Sequence, residues 1–176
     1  MQKNRLKKYR SLLFLIVLFS LPMVAAYYIF SQPMLLRKLS TTNHGQWAPE
    51  VSWQLHKDKA RPWQLVLWND GPCEQVCMHK LDQLARIRLA MGRKLYELDL
   101  ILVIPEGMVV SDAQRAQLKE NNIYYQYLPL EEVSVWGKKF QKQPIVLFSP
   151  QHQAILMYST ALEPKKMFHD LQVLIK

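Results

Sequence analysis

The chain has 176 residues, 49% of them hydrophobic and 21% charged, with a formal net charge of +9 and two cysteines. That length allows one domain of ordinary size plus an appendage. Five basic residues crowd into the first ten positions, leaving 18 basic against 14 acidic residues elsewhere, a net of +4 too dilute to argue for nucleic acid. No glycine-rich phosphate loop, paired catalytic carboxylates or Ser/His/Asp grouping stands out, so nothing supports a hydrolase or a nucleotide enzyme.

Residues 1–10, with Lys3, Arg5, Lys7, Lys8 and Arg10, read as a basic tail retained in the cytoplasm. Residues 11–30, from Ser11 to Phe30, contain no charged residue and are long enough to span a bilayer once as a helix. Only Arg37 and Lys38 follow soon after, so everything beyond Phe30 is expected outside. In a bacterium this is a single-pass inner-membrane protein with a cytoplasmic N-terminus and a periplasmic domain. A cleaved signal peptide is the competing reading, since Val24-Ala25-Ala26 has the small residues of a cleavage site. The apolar run continues through Tyr27, Tyr28, Ile29 and Phe30, which favours the anchor. Pro22 is tolerable in a membrane helix.

Residues 31–60 read as a juxtamembrane linker, with Pro33, Pro49 and a polar Ser40–Gly45 run, leading into a short strand at Val51–Leu55. Residues 61–176 form the domain. Trp63–Trp68 is an apolar, β-rich run bounded by Pro62 and by Asn69-Asp70-Gly71, hence a buried strand. Cys77, Leu81, Leu84, Ile87, Arg88, Met91 and Leu95 then recur mostly at three- and four-residue steps. They predict a helix from about Cys73 to Arg93, capped by Asp70, with Pro72 in its first turn and Gly92 near its end.

Leu98–Ile104 is a second buried strand, and Ser111-Asp-Ala-Gln114 has the form of a capping box opening a helix to about Glu120. Ile123–Leu128 is a third strand, rich in aromatics. Leu130 to Phe140 is weakly helical and interrupted by Gly137. Pro144–Ser149 and Ala154–Tyr158 form a hairpin, and Pro164 opens a final amphipathic helix. The order β-α-β-α-β, hairpin, α predicts an α/β, thioredoxin-like fold behind a single N-terminal transmembrane helix.

Cys73 and Cys77 stand at the first strand–helix junction. Helix N-terminal N–H groups and the positive end of the dipole favour thiolate there. Asp70 and Glu74 flank Cys73 with opposing negative charge, so a strongly activated nucleophile is not indicated. In an oxidising compartment the pair is a structural disulfide, a redox dithiol or a soft-metal site. A bridge between residues four apart closes almost no loop, which makes the structural role the weakest. With Cys73 in the turn and Cys77 in the first helical turn the thiols can bond, or converge on an ion such as Cu(I). Three intervening residues, rather than two, tilt the reading from general disulfide exchange towards metal or a specialised redox partner.

The strand, the Cys-x3-Cys and the following helix resemble the Sco/SenC family of membrane-anchored thioredoxin-fold proteins that help build the copper centre of cytochrome c oxidase. Thr42-Asn43-His44-Gly45 with Pro49, Gly71-Pro-Cys-Glu-Gln-Val-Cys77 and Ile87-Arg-Leu-Ala-Met-Gly92 resemble a subgroup of short Sco-like membrane proteins. The resemblance implies copper as cargo, a cytochrome c oxidase subunit or a copper-delivery protein as partner, and Cys73 and Cys77 as redox pair and metal ligands. Copper-binding members add a histidine before the hairpin. Aligning their Asp-Pro turn on Ser149-Pro150 puts that position near Gln141, beside Lys142, and neither is an imidazole. His44 is the candidate to replace it, because linkers can fold back, although it also reads as a solvated histidine, as do His56, His79, His152 and His169.

Two further positions are candidate partner contacts. Pro144 stands where thioredoxin-like folds place a cis-proline beside the cysteines. Trp68 lies close to the pair in sequence, although it also reads as core, as does Trp63. Two alternatives to the copper-oxidase reading stay open: a periplasmic thiol–disulfide oxidoreductase without metal, and a non-catalytic interaction protein that keeps the fold.

Overall fold

The computed structural model describes residues 2–30, 43–53, 62–140 and 143–175. They fall into two compact units, 1–42 and 43–176. In the first unit, helix α1 (Gln2–Phe30) runs through Pro22 without a break. Its described side chains, Leu13 to Tyr28, are exposed. Among the described residues no helix is long and apolar enough to cross a membrane.

The second unit is built on six strands: β1 (Gln46–Trp47), β2 (Trp63–Trp68), β3 (Leu98–Pro105), β4 (Ile123–Leu128), β5 (Ile145–Phe148) and β6 (Ala154–Tyr158). They form one sheet in the order β1-β6-β5-β2-β3-β4. β2, β3 and β4 pair parallel, whereas β5, β6 and β1 pair antiparallel. β2 therefore sits centrally, and its apolar run reflects burial on both faces. Leu65 and Leu67 join one core, with Leu81 and Leu84 of helix α2 (Gln75–Ala90), Leu118 of α3 (Asp112–Glu120), and Met167 and Leu171 of α5 (Pro164–Leu174). Val66 and Trp68 join the other core, with Val133 of α4 (Leu130–Lys139), Phe140 and the segment around Ala48 and Val51.

Three expectations are corrected. The short strand predicted at Val51–Leu55 is instead β1, which pairs Gln46 with Met157 and Trp47 with Leu156. Ser52 makes a single bridge to Gln153, while Leu55 lies outside the described residues. The unpaired edge of β6 selects the register, and Ala48 N–H reaches the Ile155 carbonyl at 3.0 Å. Secondly, α4 passes through Gly137 unbroken. The Gly cost of ~1 kcal/mol is outweighed by seating Val133, Trp136 and Phe140 against the sheet. Thirdly, α2 starts at Gln75 and ends at Ala90, after which Gly92 takes φ +62° and a 3-10 turn runs to Glu97. Arg88 Nε closes this turn by donating to the carbonyls of Leu95 (3.1 Å) and Leu98 (2.6 Å).

Ser111 and Gln114 form the expected capping box at the start of α3. The segment at Asn43 is strapped to α5. The Asp170 carboxylate, 2% exposed, accepts from the backbone N–H groups of His44 and Gly45 at 2.9–3.0 Å. Gly45 is required there, since a Cβ would come within 2.6 Å of the Tyr158 ring.

Candidate functional site

β2 delivers the chain to Asn69, whose N–H donates to the Val103 carbonyl of β3 at 3.1 Å. Its side-chain amide folds onto the Gly71 carbonyl at 2.5 Å, turning the chain away from the sheet. Pro72 and Cys73 follow, and Glu74 N–H closes a tight turn onto the Pro72 carbonyl at 3.0 Å. The cap of α2 is Glu74, in extended conformation and without a side-chain bond, rather than Asp70. Pro72 accordingly precedes the helix.

Cys73 thus lies in the turn and Cys77 in the first helical turn, and the two are joined as a disulfide with Cα atoms 5.1 Å apart. Cys73 is 8% exposed and packs into the core under α2, whereas Cys77 is half-buried at its edge. Val76, between them, is 85% exposed and offers an apolar contact at the mouth of the pair. Gln114 Nε2 donates to the Cys73 carbonyl at 2.6 Å. The Met78 sulfur lies 3.7 Å from Cys73 Sγ. One turn further on, burial lowers the Lys80 pKa, and its ammonium donates to Gln83 Oε1 (2.8 Å) and the Thr160 carbonyl (2.6 Å).

Trp68 and Cys73 belong to cores on opposite faces of the sheet. Trp68 is 6% exposed and packs at ring distances of 4.6 Å from Trp53, 5.4 Å from Phe140 and 5.9 Å from Trp136. The Trp68 backbone N–H donates to the Pro144 carbonyl at 2.8 Å, and no cis peptide occurs among the described residues, so the bond before Pro144 is trans. Trp68, Asp70, Val133, Phe140 and Pro144 line a groove of about 620 Å³ that opens beside the cysteine turn.

His44 is engaged elsewhere. Its Nδ1 lies 3.1 Å from Asp170 Oδ1, and its ring meets His169 edge-on with centroids 5.8 Å apart. Burial pushes the nearby Tyr158 phenol far above its ordinary pKa, and the Asp170 carboxylate adds to the effect. The Tyr158 hydroxyl nonetheless has no well-aligned hydrogen bond. Gln141 and Lys142 lie outside the described residues. Among the described residues no three His, Cys, Asp or Glu side chains converge as metal ligands. Cys73, Cys77 and Met78 gather sulfur donors at the cysteine turn, a set that suits a soft ion such as Cu(I).

The structure joins Cys73 and Cys77, as their spacing allows, and sets beside them Gln114 and Met78, which the sequence reading did not single out. For Met78 a signal existed, a thioether directly after the second thiol. For Gln114 there was only its place in a capping box, which says nothing of the cysteine turn.

Residues 63–176 match the family described as "Transmembrane-like, thioredoxin-like, C-terminal domain". No curated protein matches. Among solved structures, the chain is similar to copper-bound ScoI of Arabidopsis thaliana (13% identity, TM-score 0.49, covering 64% of this chain and 83% of that one). It is also similar to copper-bound yeast Sco1 (16%, 0.48, 65% and 76%). The thioredoxin domain of a Bacteroides vulgatus thiol–disulfide oxidoreductase is similar too (16%, 0.47, 79% and 100%). With every TM-score below 0.5, these three likenesses carry no weight here. The fold is thioredoxin-like and α/β on the family match and the sheet order.

Proposed function

We propose, of a chain that belongs to the transmembrane-like, thioredoxin-like C-terminal domain family, that it is a membrane-anchored thiol–disulfide protein. Its Cys73–Cys77 pair exchanges with the copper-ligand cysteines of a cytochrome c oxidase subunit or a copper-delivery protein. The observation that carries the thiol chemistry is the disulfide itself. It joins a buried sulfur to a half-buried one across four positions, where it closes too little chain to be worth much to stability. The choice of oxidase rests on the sequence resemblance of the cysteine motif and its flanking segments to Sco-like proteins.

In the reduced protein Cys77, the more exposed thiol, gives up its proton and attacks a disulfide of the partner. One partner sulfur leaves as a thiol and a mixed disulfide forms. Cys73 then attacks Cys77 Sγ, releasing the second partner thiol and restoring the Cys73–Cys77 bond. Two electrons and two protons pass to the partner, and an upstream dithiol must return them. The groove at Trp68 and Pro144 lies beside the turn and is where the partner's chain would run.

The anchor is the uncharged 11–30 segment, with Lys3, Arg5, Lys7, Lys8 and Arg10 holding the N-terminus in the cytoplasm. Continuity of α1 through Pro22 supports it. The domain then stands in the periplasm of a bacterial inner membrane.

The test is a trap in intact spheroplasts. Cys73→Ser should leave a mixed disulfide between Cys77 and its partner, and membrane-impermeant maleimide should label Cys77 once the trap is reduced. Cys77→Ser should trap nothing. A Cys73→Ser protein that stays unlinked, or labels only after lysis, overturns the reading.

A second reading has the reduced pair carry Cu(I) as cargo. The imidazole required by the resemblance is missing at Gln141 and Lys142. What favours the reading is the third sulfur beside Cys73.

A further inference from the structure

We propose that Met78 supplies the third ligand of a Cu(I) site whose other two ligands are Cys73 and Cys77. The inference rests on the copper-carriage reading and adds to it a residue outside the Cys-x3-Cys motif.

Cu(I) is soft and accepts two or three sulfur donors, thioethers among them. Metal–sulfur bonds of about 2.3 Å set two ligands of a trigonal ion ~4 Å apart. Met78 Sδ already stands 3.7 Å from Cys73 Sγ in the oxidised protein, so breaking the disulfide leaves three sulfurs at one helix start.

The backbone holds that arrangement at two points. Gln114 fixes the Cys73 carbonyl, and Met78 N–H donates to the Glu74 carbonyl at 3.0 Å. Met78 is half-buried against the core, where a long, unbranched side chain can swing its sulfur with little strain.

Charge favours the thioether as well. Cu(I) with two thiolates carries net −1, and Asp70 and Glu74 flank Cys73 in the sequence, so a third anionic donor would add to negative charge that a neutral one leaves unchanged.

The steps balance. An external dithiol passes two electrons and two protons to the Cys73–Cys77 disulfide and becomes a disulfide itself. Cu(I) then displaces the two thiol protons as the Met78 sulfur closes the site. A disulfide of the receiving protein then takes two electrons from the two cysteine thiolates and becomes two thiolates; the Cys73–Cys77 bond re-forms, one thioether cannot hold the ion alone, and the Cu(I) passes to the two new thiolates. Loading and release are thereby tied to the redox state of the same two atoms.

The experiment uses the full chain in detergent, reduced and then titrated anaerobically with Cu(I) against a chromophoric Cu(I) chelator, with X-ray absorption at the copper edge. The wild type should bind one Cu(I) with three sulfur neighbours. Met78→Leu, close in volume, should bind about tenfold more weakly or worse, with two sulfurs. Met78→Leu should still form the Cys73–Cys77 disulfide, which excludes misfolding as the cause. Met78→His should restore a third neighbour as nitrogen. A two-sulfur site in the wild type, or unchanged affinity in Met78→Leu, overturns the role of Met78 and leaves copper carriage standing. A wild type that binds no Cu(I) overturns both.

Discussion

Asp170 is a carboxylate buried to 2% exposure, and backbone donors answer it rather than a cation. Two N–H groups, at His44 and Gly45, and the His44 ring meet its oxygens, which satisfies a charge that would otherwise be costly inside the protein. The Asn43-His44-Gly45 sequence therefore has a structural reason: a hydrogen-bonded turn around Asp170, with glycine where Tyr158 leaves no room.

Burial of the neighbouring Tyr158 phenol, with this carboxylate beside it, gives a pH dependence. The unfolded Tyr158 phenol ionises near ~10, whereas the folded one keeps its proton to higher pH. Above that point the unfolded chain binds fewer protons than the folded one. Stability falls as pH rises, by up to ~1.4 kcal/mol per pH unit from this group. Tyr158→Phe abolishes this component. Urea unfolding of wild type and variant between pH 7 and 11 should agree within ~1 kcal/mol at neutral pH and diverge above pH 10, the variant being the more stable. Parallel profiles would show that the phenol is not held as described.

Gln114 links two elements that sequence patterning treats separately. Its Oε1 accepts from Ser111 N–H at 2.9 Å at the start of α3, while its Nε2 holds the Cys73 carbonyl before α2. Gln114→Leu should cost about 1–2 kcal/mol in unfolding free energy and free the cysteine turn. Iodoacetamide should then alkylate reduced Cys73 several-fold faster than in the wild type; an unchanged rate would mean that the turn is held by other contacts.

Local pattern was enough for β2, α2, β3, α3 and the hairpin, because each carries its own period of apolar residues between turn-forming ones. It placed the cysteines at the right junction for the same reason. It failed for β1, whose two residues acquire a partner only at Met157 and Leu156; for α4 it found the helix but not its continuity, since burial of Val133 and Phe140 overrides Gly137. Gln114–Cys73 and Asp170–His44 span 41 and 126 residues. Polar contacts at such separations leave no periodic trace in a single sequence.

Across the whole domain, two apolar cores share one sheet, and the disulfide belongs to only one of them, through buried Cys73 and half-buried Cys77. A five-residue ring of chain contributes little to the entropy of the unfolded state. Reduction should lower the unfolding free energy by no more than ~2 kcal/mol. Circular dichroism and a single cooperative denaturation curve, with and without dithiol, test this directly. A reduced domain that melts at room temperature would make the bond a structural staple and remove the basis for redox cycling.

The fastening of Asn43, His44 and Gly45 to α5 also sets where mechanical load enters the domain. A pull arriving along the chain at Asn43 meets Asp170 first, sixth from the last described residue at Ile175. Force entering there would load α5 before it reached β2, the strand that leads into the cysteine turn.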